Sequence, residues 1–167
     1  MKPRQKILAL DPANSCGYAH SSGQRGVWLL GDPYSRLQRF RNQLLQAADR
    51  WGCDLLAYED AAFGSINPHT AAAHNELAGI IKLVAAELCV ETRSYKPATI
   101  KKFATGSGRA QKPQMIRACE TILGLRVTSD DEADAIWILE MAKQNYLPAA
   151  SAKKRTARRA KKAPRLF

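Results

Sequence analysis

Two apolar segments of the sequence each end on an acidic residue. The segment KILALD ends on Asp11, and the segment LLAYE ends on Glu59. If both segments form buried strands, side-chain alternation places each carboxylate on the face that carries the apolar residues two and four positions earlier. A buried carboxylate without a partner costs free energy, so each one needs a cation or hydrogen-bond donors nearby. The structural alternative is a carboxylate that stabilises a turn just beyond the strand.

A third acidic group lies in the segment SDDEAD, at the start of a predicted helix. Negative charges in a first helical turn interact favourably with the helix dipole, which is a sufficient structural reason for Asp130, Asp131 and Glu132. Asp134 lies beyond that turn and shares a helix face with Asp131. The sequence can therefore bring two carboxylates of this helix to the same place.

Together these segments predict a cluster of four carboxylates, Asp11, Glu59, Asp131 and Asp134, with no histidine or cysteine among them. Oxygen ligands of this kind favour Mg²⁺ or Mn²⁺ over zinc. Two such ions about 4 Å apart can promote phosphodiester cleavage, one by activating the attacking water and the other by stabilising the leaving 3′-oxygen. The four carboxylates are therefore candidate metal ligands and candidate catalytic residues.

The chain is strongly basic. Its 167 residues include 26 Lys+Arg and 15 Asp+Glu, for a net charge of +11. This charge favours an anionic partner, nucleic acid first and an anionic membrane second. Positions 149–167 hold eight of the basic residues and no acidic one, namely Lys153, Lys154, Arg155, Arg158, Arg159, Lys161, Lys162 and Arg165. We expect a flexible tail that binds phosphates without regard to sequence, with a nuclear-localisation signal as the open alternative.

Several other classes of protein do not fit. The apolar run before Asp11 is too short for a signal peptide, and no stretch approaches the roughly 18 apolar residues of a membrane-spanning helix. The four cysteines have no CxxC spacing, so they predict reduced thiols rather than a zinc site or a disulfide framework. We therefore expect a cytoplasmic protein without membrane association.

The elements that must position these residues alternate between strands and helices. Apolar patterning and turn residues predict strands at 6–11, 17–21, 27–30, 55–59 and 90–95. Helices are predicted at 33–51, 69–89, 97–105, 113–123 and 130–145, with Asp32 as the N-cap of the first and Pro33 at its first position. Three consecutive strands indicate an antiparallel meander, and the later strand–helix units add parallel strands. The predicted fold class is α/β, with a mixed five-stranded sheet flanked by helices over positions 1–148.

Four segments, in order, carry a family resemblance. They are ILALDPANSCGYA, LLAYED, the Lys-x4-Gly-x-Gly-x-Ala-x-Lys element at 101–112, and DEADAIWI. In this order and at this spacing, the chain resembles the RuvC family of Holliday-junction resolvases, within the RNase H-like nuclease superfamily, over positions 5–147. The chain departs from the family pattern at Ala13, where a glycine is usual, and in its basic tail. A phage protein or another divergent member fits these departures.

The resemblance implies roles for individual residues. Asp11, Glu59, Asp131 and Asp134 would be the catalytic metal ligands. Further expected DNA contacts are the two lysines of the 101–112 element and their basic neighbours, an aromatic wedge at the junction point, and the tail, namely Lys101, Lys102, Arg109, Lys112, Phe63, Lys153, Lys154, Arg155, Arg158 and Arg159. The helix at 69–89 would form the interface of a homodimer.

The function expected from this resemblance is metal-dependent, structure-selective DNA cleavage. A homodimer would place symmetric nicks in two strands of a four-way junction and leave ligatable 5′-phosphate and 3′-hydroxyl ends. The alternative is a non-catalytic module that binds branched DNA on the same fold. An actin-like ATPase is disfavoured because 167 residues are too few for that two-lobed fold.

Overall fold

The centre of the fold is a five-stranded sheet. The computed structural model describes residues 5–60 and 67–145. Strands β1 (Ile7–Asp11), β2 (Ser15–His20) and β3 (Arg25–Leu29) form an antiparallel meander. Strand β4 (Leu55–Glu59) pairs in parallel with β1, and β5 (Glu91–Tyr95) pairs in parallel with β4. The strand order β3-β2-β1-β4-β5 confirms the predicted mixed sheet.

Five helices cover the two faces of this sheet. They are α1 (Arg36–Trp51), α2 (Pro68–Leu88), α3 (Pro97–Thr105), α4 (Lys112–Leu123) and α5 (Asp130–Asn145). Leu8 and Leu10 of β1 pack with α1 and α2, whereas Ile7 and Ala9 pack with α3, α4 and α5. Every residue of β1 is buried, because this central strand is covered on both faces. None of the helices in the described ranges is long and apolar enough to span a membrane.

The start of the first helix differs from the prediction. Helix α1 begins at Arg36 rather than at Pro33, so the assignment of Asp32 as its N-cap is wrong. Asp32 Oδ1 instead accepts hydrogen bonds from the backbone amides of Tyr34, at 3.0 Å, and Ser35, at 3.1 Å. The carboxylate thus stabilises a turn before the helix, which is the other conformation that an Asp-Pro sequence favours.

Two strands are longer at their start than their apolar patterns indicate. Strand β2 begins at Ser15 and β3 at Arg25, because the antiparallel register pairs Ser15 with Leu29 and Ala19 with Arg25. Both ends of this pairing involve polar residues that periodicity does not identify. The predicted wedge residue Phe63 and the basic residues of the tail lie outside the described residues.

Candidate active site

The first two predicted carboxylates lie side by side at one edge of the sheet. Asp11 is the last residue of β1 and Glu59 is the last residue of β4. The parallel register pairs Leu10 with Tyr58, so Asp11 and Glu59, the next residue of each strand, lie side by side. The carboxyl ends of parallel strands meet at one edge, which is where α/β proteins commonly place their sites. Asp11 is only 8% exposed, and Glu59 is partly buried.

Helix α5 brings the other two carboxylates to the same edge by packing closely on β2. Gly17 of β2 is the register partner of Asp11. A Cβ atom at Gly17 would lie 1.8 Å from the carbonyl oxygen of Asp131. The first turn of α5 can therefore approach the sheet this closely only because position 17 carries no side chain. This contact places the turn that contains Asp131 beside the end of β1.

The carboxylates interact electrostatically with one another. Burial raises the pKa of Asp11 well above its usual value, and the negative charges of Glu59, Asp134, Asp131 and Asp130 raise it further. Burial, followed by the charge of Asp134, raises the pKa of Glu59 to about 7. Burial, followed by the charge of Asp130, raises the pKa of Asp134 to about 6. The structure thus holds a group of acids in which each negative charge makes ionisation of its neighbours less favourable.

One hydroxyl group orients a member of this group. Ser15 Oγ donates a hydrogen bond of 2.6 Å to Oδ2 of Asp131. Next to it, the Arg25 guanidinium forms a 3.0 Å ion pair with Glu132, which joins β3 to the first turn of α5. These contacts hold the position of Asp131 from the side of β2 and β3.

The two lysines of the 101–112 element, Lys101 and Lys112, interact electrostatically with the acidic residues. The positive charge of Lys101 lowers the pKa values of Glu59 and Asp134. Lys112 forms an ion pair with Asp130, which raises the pKa of the lysine and lowers that of the aspartate. Both lysines therefore add positive charge beside the acidic group, and their contact with DNA stays a prediction.

The other two basic residues of this element that are expected to contact DNA are Lys102 and Arg109, and their role stays a prediction. Lys102 and Arg109 are exposed, the first on α3 and the second in the loop before α4. Neither contributes to the pKa shifts of Asp11, Glu59 or Asp134. The structure thus leaves these two side chains in solvent.

The donor chemistry of the four carboxylates fits a hard divalent cation. All four offer oxygen ligands, and three have pKa values raised by burial and by neighbouring negative charge. Within residues 5–60 and 67–145, however, no three Asp, Glu, His or Cys side chains converge on one point closely enough to hold a metal ion. The predicted ligands are neighbours at one edge, and their side chains are not arranged around a common centre.

Two features of the site were missing from the sequence-based prediction. Ser15 was not identified as a partner of Asp131, although alternation along β2 places it on the same face as Gly17, the partner of Asp11. Asp130 was explained by the helix dipole alone, whereas the structure also pairs it with Lys112. The pairing of an acidic residue with a basic residue 18 positions earlier has no periodic signal in the sequence.

Comparison with known proteins places this chain in a family. The family model "Crossover junction endodeoxyribonuclease RuvC" matches residues 29–140. The crossover junction endodeoxyribonuclease RuvC of Anaeromyxobacter dehalogenans (strain 2CP-1) is 32% identical over 160 residues, which cover 87% of this chain and 86% of the relative. The protein of the same name from Mycolicibacterium smegmatis is 34% identical over 146 residues, which cover 78% of each chain.

Solved structures share the fold. Thermus thermophilus RuvC superposes with a TM-score of 0.65 at 21% identity, covering 80% of this chain and 90% of its own, and it has also been solved in complex with a Holliday junction substrate. The yeast mitochondrial Holliday junction resolvase Ydc2 gives a TM-score of 0.58 at 15% identity, covering 81% of this chain and 76% of its own. The resemblance and the RNase H-like fold predicted from the sequence are thereby confirmed. The chain belongs to the RuvC family of crossover junction endodeoxyribonucleases.

Proposed function

We propose that this protein resolves four-way DNA junctions as a metal-dependent endonuclease. The observation that carries the proposal is the group of four acidic residues at one partly buried edge of the sheet, in a chain with a net charge of +11. A DNA-binding protein gains nothing from buried negative charge next to phosphate unless cations neutralise it. Membership of the family supports branched DNA as the substrate.

The proposed metal ligands are Asp11, Glu59, Asp131 and Asp134, with Mg²⁺ as the ion and Mn²⁺ as a functional substitute. Two such ions, when bound, supply an activated water and stabilise the leaving 3′-oxygen. The water would lose a proton as its oxygen bonds to phosphorus, and the 3′-oxygen would take up a proton from solvent as its bond to phosphorus breaks, so the products would carry 5′-phosphate and 3′-hydroxyl ends. Ser15 keeps Asp131 in its orientation by donating to Oδ2, which leaves the other carboxylate oxygen available.

The proposed role of the basic residues is to hold the DNA backbone at this edge. Lys101 and Lys112 are the nearest, and Lys112 exchanges Asp130 for a phosphate when DNA binds. Lys102 and Arg109 contact the backbone farther from the scissile phosphate, and Phe63 separates bases at the branch point. The tail at 149–167 adds affinity without selectivity.

Paired cleavage needs two active sites, so we propose a homodimer that uses α2 as its interface. Within the described part of α2, Leu83 is 47% exposed, on a helix whose other large apolar side chains pack inward. Two copies related by a two-fold axis would match the symmetry of a four-way junction. We infer that the enzyme comprises a nuclease body at 1–148 and a basic arm at 149–167, and that it acts on DNA in the cytoplasm.

The test is incubation of the protein with an end-labelled synthetic four-way junction and with a linear duplex of the same sequence. We expect paired, symmetric nicks in the junction alone, only with Mg²⁺ or Mn²⁺, and sealing of the products by a DNA ligase. Tight junction binding without any nicks in either ion would contradict the proposal and favour a binding module.

A further inference from the structure

A cavity of about 300 Å³ lies beside the loop that follows Asp11. Three parts of the chain line it: Ala13 and Asn14 of that loop, Arg36 at the start of α1, and the first half of α2. Its volume is at the lower end of the range of about 300–1,000 Å³ that is typical of small-molecule sites. The cavity is therefore large enough to receive an organic ring.

This cavity lies close to the carboxylate edge but on the other face of the sheet. Leu77 lines it and packs in the core between the sheet and helices α1 and α2, whereas Asp11 follows Ala9 on the face that α5 covers. Asn14 is three residues after Asp11, so at about 3.8 Å per residue their Cα atoms are at most about 11 Å apart. A nucleotide next to a phosphate bound at Asp11 is therefore within reach of the cavity.

Two of the side chains that line the cavity carry buried polar atoms without a partner. Nε of Arg36 and Nδ1 of His74 are buried, and neither forms a hydrogen bond with any of the described residues. Among residues 5–60 and 67–145, only one other buried side-chain polar atom, the hydroxyl of Tyr95, shares this condition. Buried groups of this kind are rare in native proteins because they cost free energy, so two of them in one cavity indicate a ligand that forms hydrogen bonds.

The charges around the cavity favour a neutral ligand. Arg36 forms an ion pair through Nη2 with Glu76, so its positive charge is already offset. Burial lowers the pKa of His74 from its usual 6.5, so the ring is neutral at pH 7 and offers one donor and one acceptor nitrogen. Three further lining side chains are aliphatic, namely Ala13, Ala73 and Leu77. Aliphatic walls with a few donors and acceptors suit a nucleobase, which has apolar faces and a polar edge, better than they suit a phosphate.

The cavity is separate from the face of α2 that is free to contact a second copy of the chain. The lining residues Ala73, His74 and Leu77 are partly or fully buried on the side of α1. The exposed positions of the helix recur three or four residues apart on another face, and they include Asn75, Gly79, Lys82 and Ala86. A homodimer formed through that exposed face would leave the cavity accessible to DNA.

We propose that this cavity accepts one unpaired nucleobase of the junction, next to the phosphate that is cut, and that Arg36 and His74 form hydrogen bonds with its edge. The inference rests on the proposed function for its substrate. It makes the cavity a specificity-determining site, with the phosphate on the α5 side of the sheet edge and the base on the side of α1 and α2. A base that is already unpaired costs the least to place there, which favours the branch point.

The test measures binding by fluorescence anisotropy in EDTA, so that no cleavage occurs, to four-way junctions that each lack one base near the branch point. We expect one of these abasic positions to weaken binding by the wild type roughly tenfold. His74→Ala should bind the intact junction about that weakly, and removal of the base should then cause no further loss.

Matched variants separate a contact with the base from a general loss of structure. His74→Asn should restore the base dependence, because its amide supplies a donor and an acceptor near the position of Nδ1. Arg36→Lys retains a positive charge beside Glu76 but lacks the Nε hydrogen, so it should lose part of the base dependence. Gln46→Ala, at an exposed position of α1 outside the cavity, should behave as the wild type. Unchanged affinity of His74→Ala for a linear duplex would show that this variant is folded.

The outcomes distinguish this inference from the proposed function, because the binding signal does not depend on catalysis. A protein that cuts no junction but shows a His74-dependent effect of one missing base would overturn the proposed function and support the inference. Equal losses from base removal in the wild type and His74→Ala would overturn the inference even if cleavage is confirmed. A changed oligomeric state of His74→Ala without any change in base dependence would also overturn it, by assigning the cavity to a second copy of the chain.

Discussion

At the scale of single residues, the carboxylates lie close enough for their negative charges to repel one another. Asp11 is buried at the end of the central strand, and Glu59 and Asp134 also have raised pKa values. Asp11 and Glu59 stand at the ends of apolar segments, and Asp131 and Asp134 stand at the start of a predicted helix, so their positions could be expected from the sequence, whereas their role as metal ligands stays a prediction. The hydrogen bond from Ser15 to Asp131 could not be predicted, because it joins residues 116 positions apart through a contact that only the folded chain creates.

The raised pKa values predict how the stability of the metal-free protein depends on pH. The pKa of Glu59 rises from 4.5 to about 7 and that of Asp134 from 3.8 to about 6, so the folded state binds these protons more tightly than the unfolded state. Their contribution to stability is complete below the unfolded pKa values and is lost as the pH rises through the folded ones. We expect Glu59 and Asp134 to lower the Tm of EDTA-treated protein between about pH 4.5 and pH 7, against an opposite contribution from His20 and His74, whose pKa values are lowered by burial.

This prediction has a matched pair of variants. Glu59→Gln should flatten the fall of Tm with pH, whereas Glu120→Gln, on the exposed face of α4, should leave it unchanged. Differential scanning calorimetry over that pH range provides the measurement. The same dependence of Tm on pH in the wild type and in Glu59→Gln would contradict the assigned pKa direction of Glu59.

Ser15 is predicted to act as a positioning residue for Asp131. Its hydroxyl donates a 2.6 Å hydrogen bond to the carboxylate, and loss of such a partner of a metal ligand typically costs about 10- to 100-fold in metal affinity or activity. We expect Ser15→Ala to raise the Mn²⁺ dissociation constant measured by calorimetry, and Ser15→Thr to restore it. Equal Mn²⁺ affinity in the wild type and Ser15→Ala would show that the hydrogen bond plays no part.

At the scale of elements, the decisive contact is the packing of α5 on β2. The sequence pattern identified both elements, but apolar periodicity contains no information on how closely they approach. Gly17 determines that distance, because any side chain there would overlap the backbone of Asp131. In the same way, Asp32-Pro33 is a pattern typical of a helix start. Here the hydrogen bonds of Asp32 form a turn instead, and α1 begins at Arg36.

Gly17→Ala is therefore expected to displace the first turn of α5. The added Cβ would lie 1.8 Å from a backbone oxygen, so α5 must shift, and we expect a loss of stability of about 1–3 kcal/mol. Junction cleavage should fall further than stability alone explains, because Asp131 moves with the turn. Gly79→Ala serves as the control for stability alone, since its added methyl group meets no atom within 4 Å. Similar losses of stability in both variants, measured by urea unfolding, would contradict this role of Gly17.

At the scale of the whole molecule, the net charge of +11 combines two opposite contributions. Eight positive charges lie at 149–167, while the body carries the acidic group that fits a metal site. Composition predicted an anionic partner, but only the sheet topology explains why negative charges are concentrated at one edge of a basic protein. The tail and the edge should therefore have separable effects on DNA.

Replacing the eight basic residues of the tail by glutamine should weaken binding to junctions and to linear duplexes alike. The logarithm of the binding constant falls with the logarithm of salt concentration, with a slope of about 0.9 for each phosphate that the protein neutralises. The slope should therefore become shallower by about 0.9 for each phosphate that the altered tail no longer neutralises. Fluorescence anisotropy at several salt concentrations measures it. Selective loss of junction preference with an unchanged slope would show that the tail recognises DNA shape.

The central claim is that the carboxylate group performs metal-dependent junction cleavage. Its most direct test compares wild type, Asp11→Asn and Asp49→Asn, an exposed control on α1, on a labelled four-way junction with Mg²⁺. We predict paired nicks with wild type and Asp49→Asn, and none with Asp11→Asn, which should still bind the junction because it loses a negative charge near phosphate. Cleavage by Asp11→Asn at the wild-type rate would contradict the account.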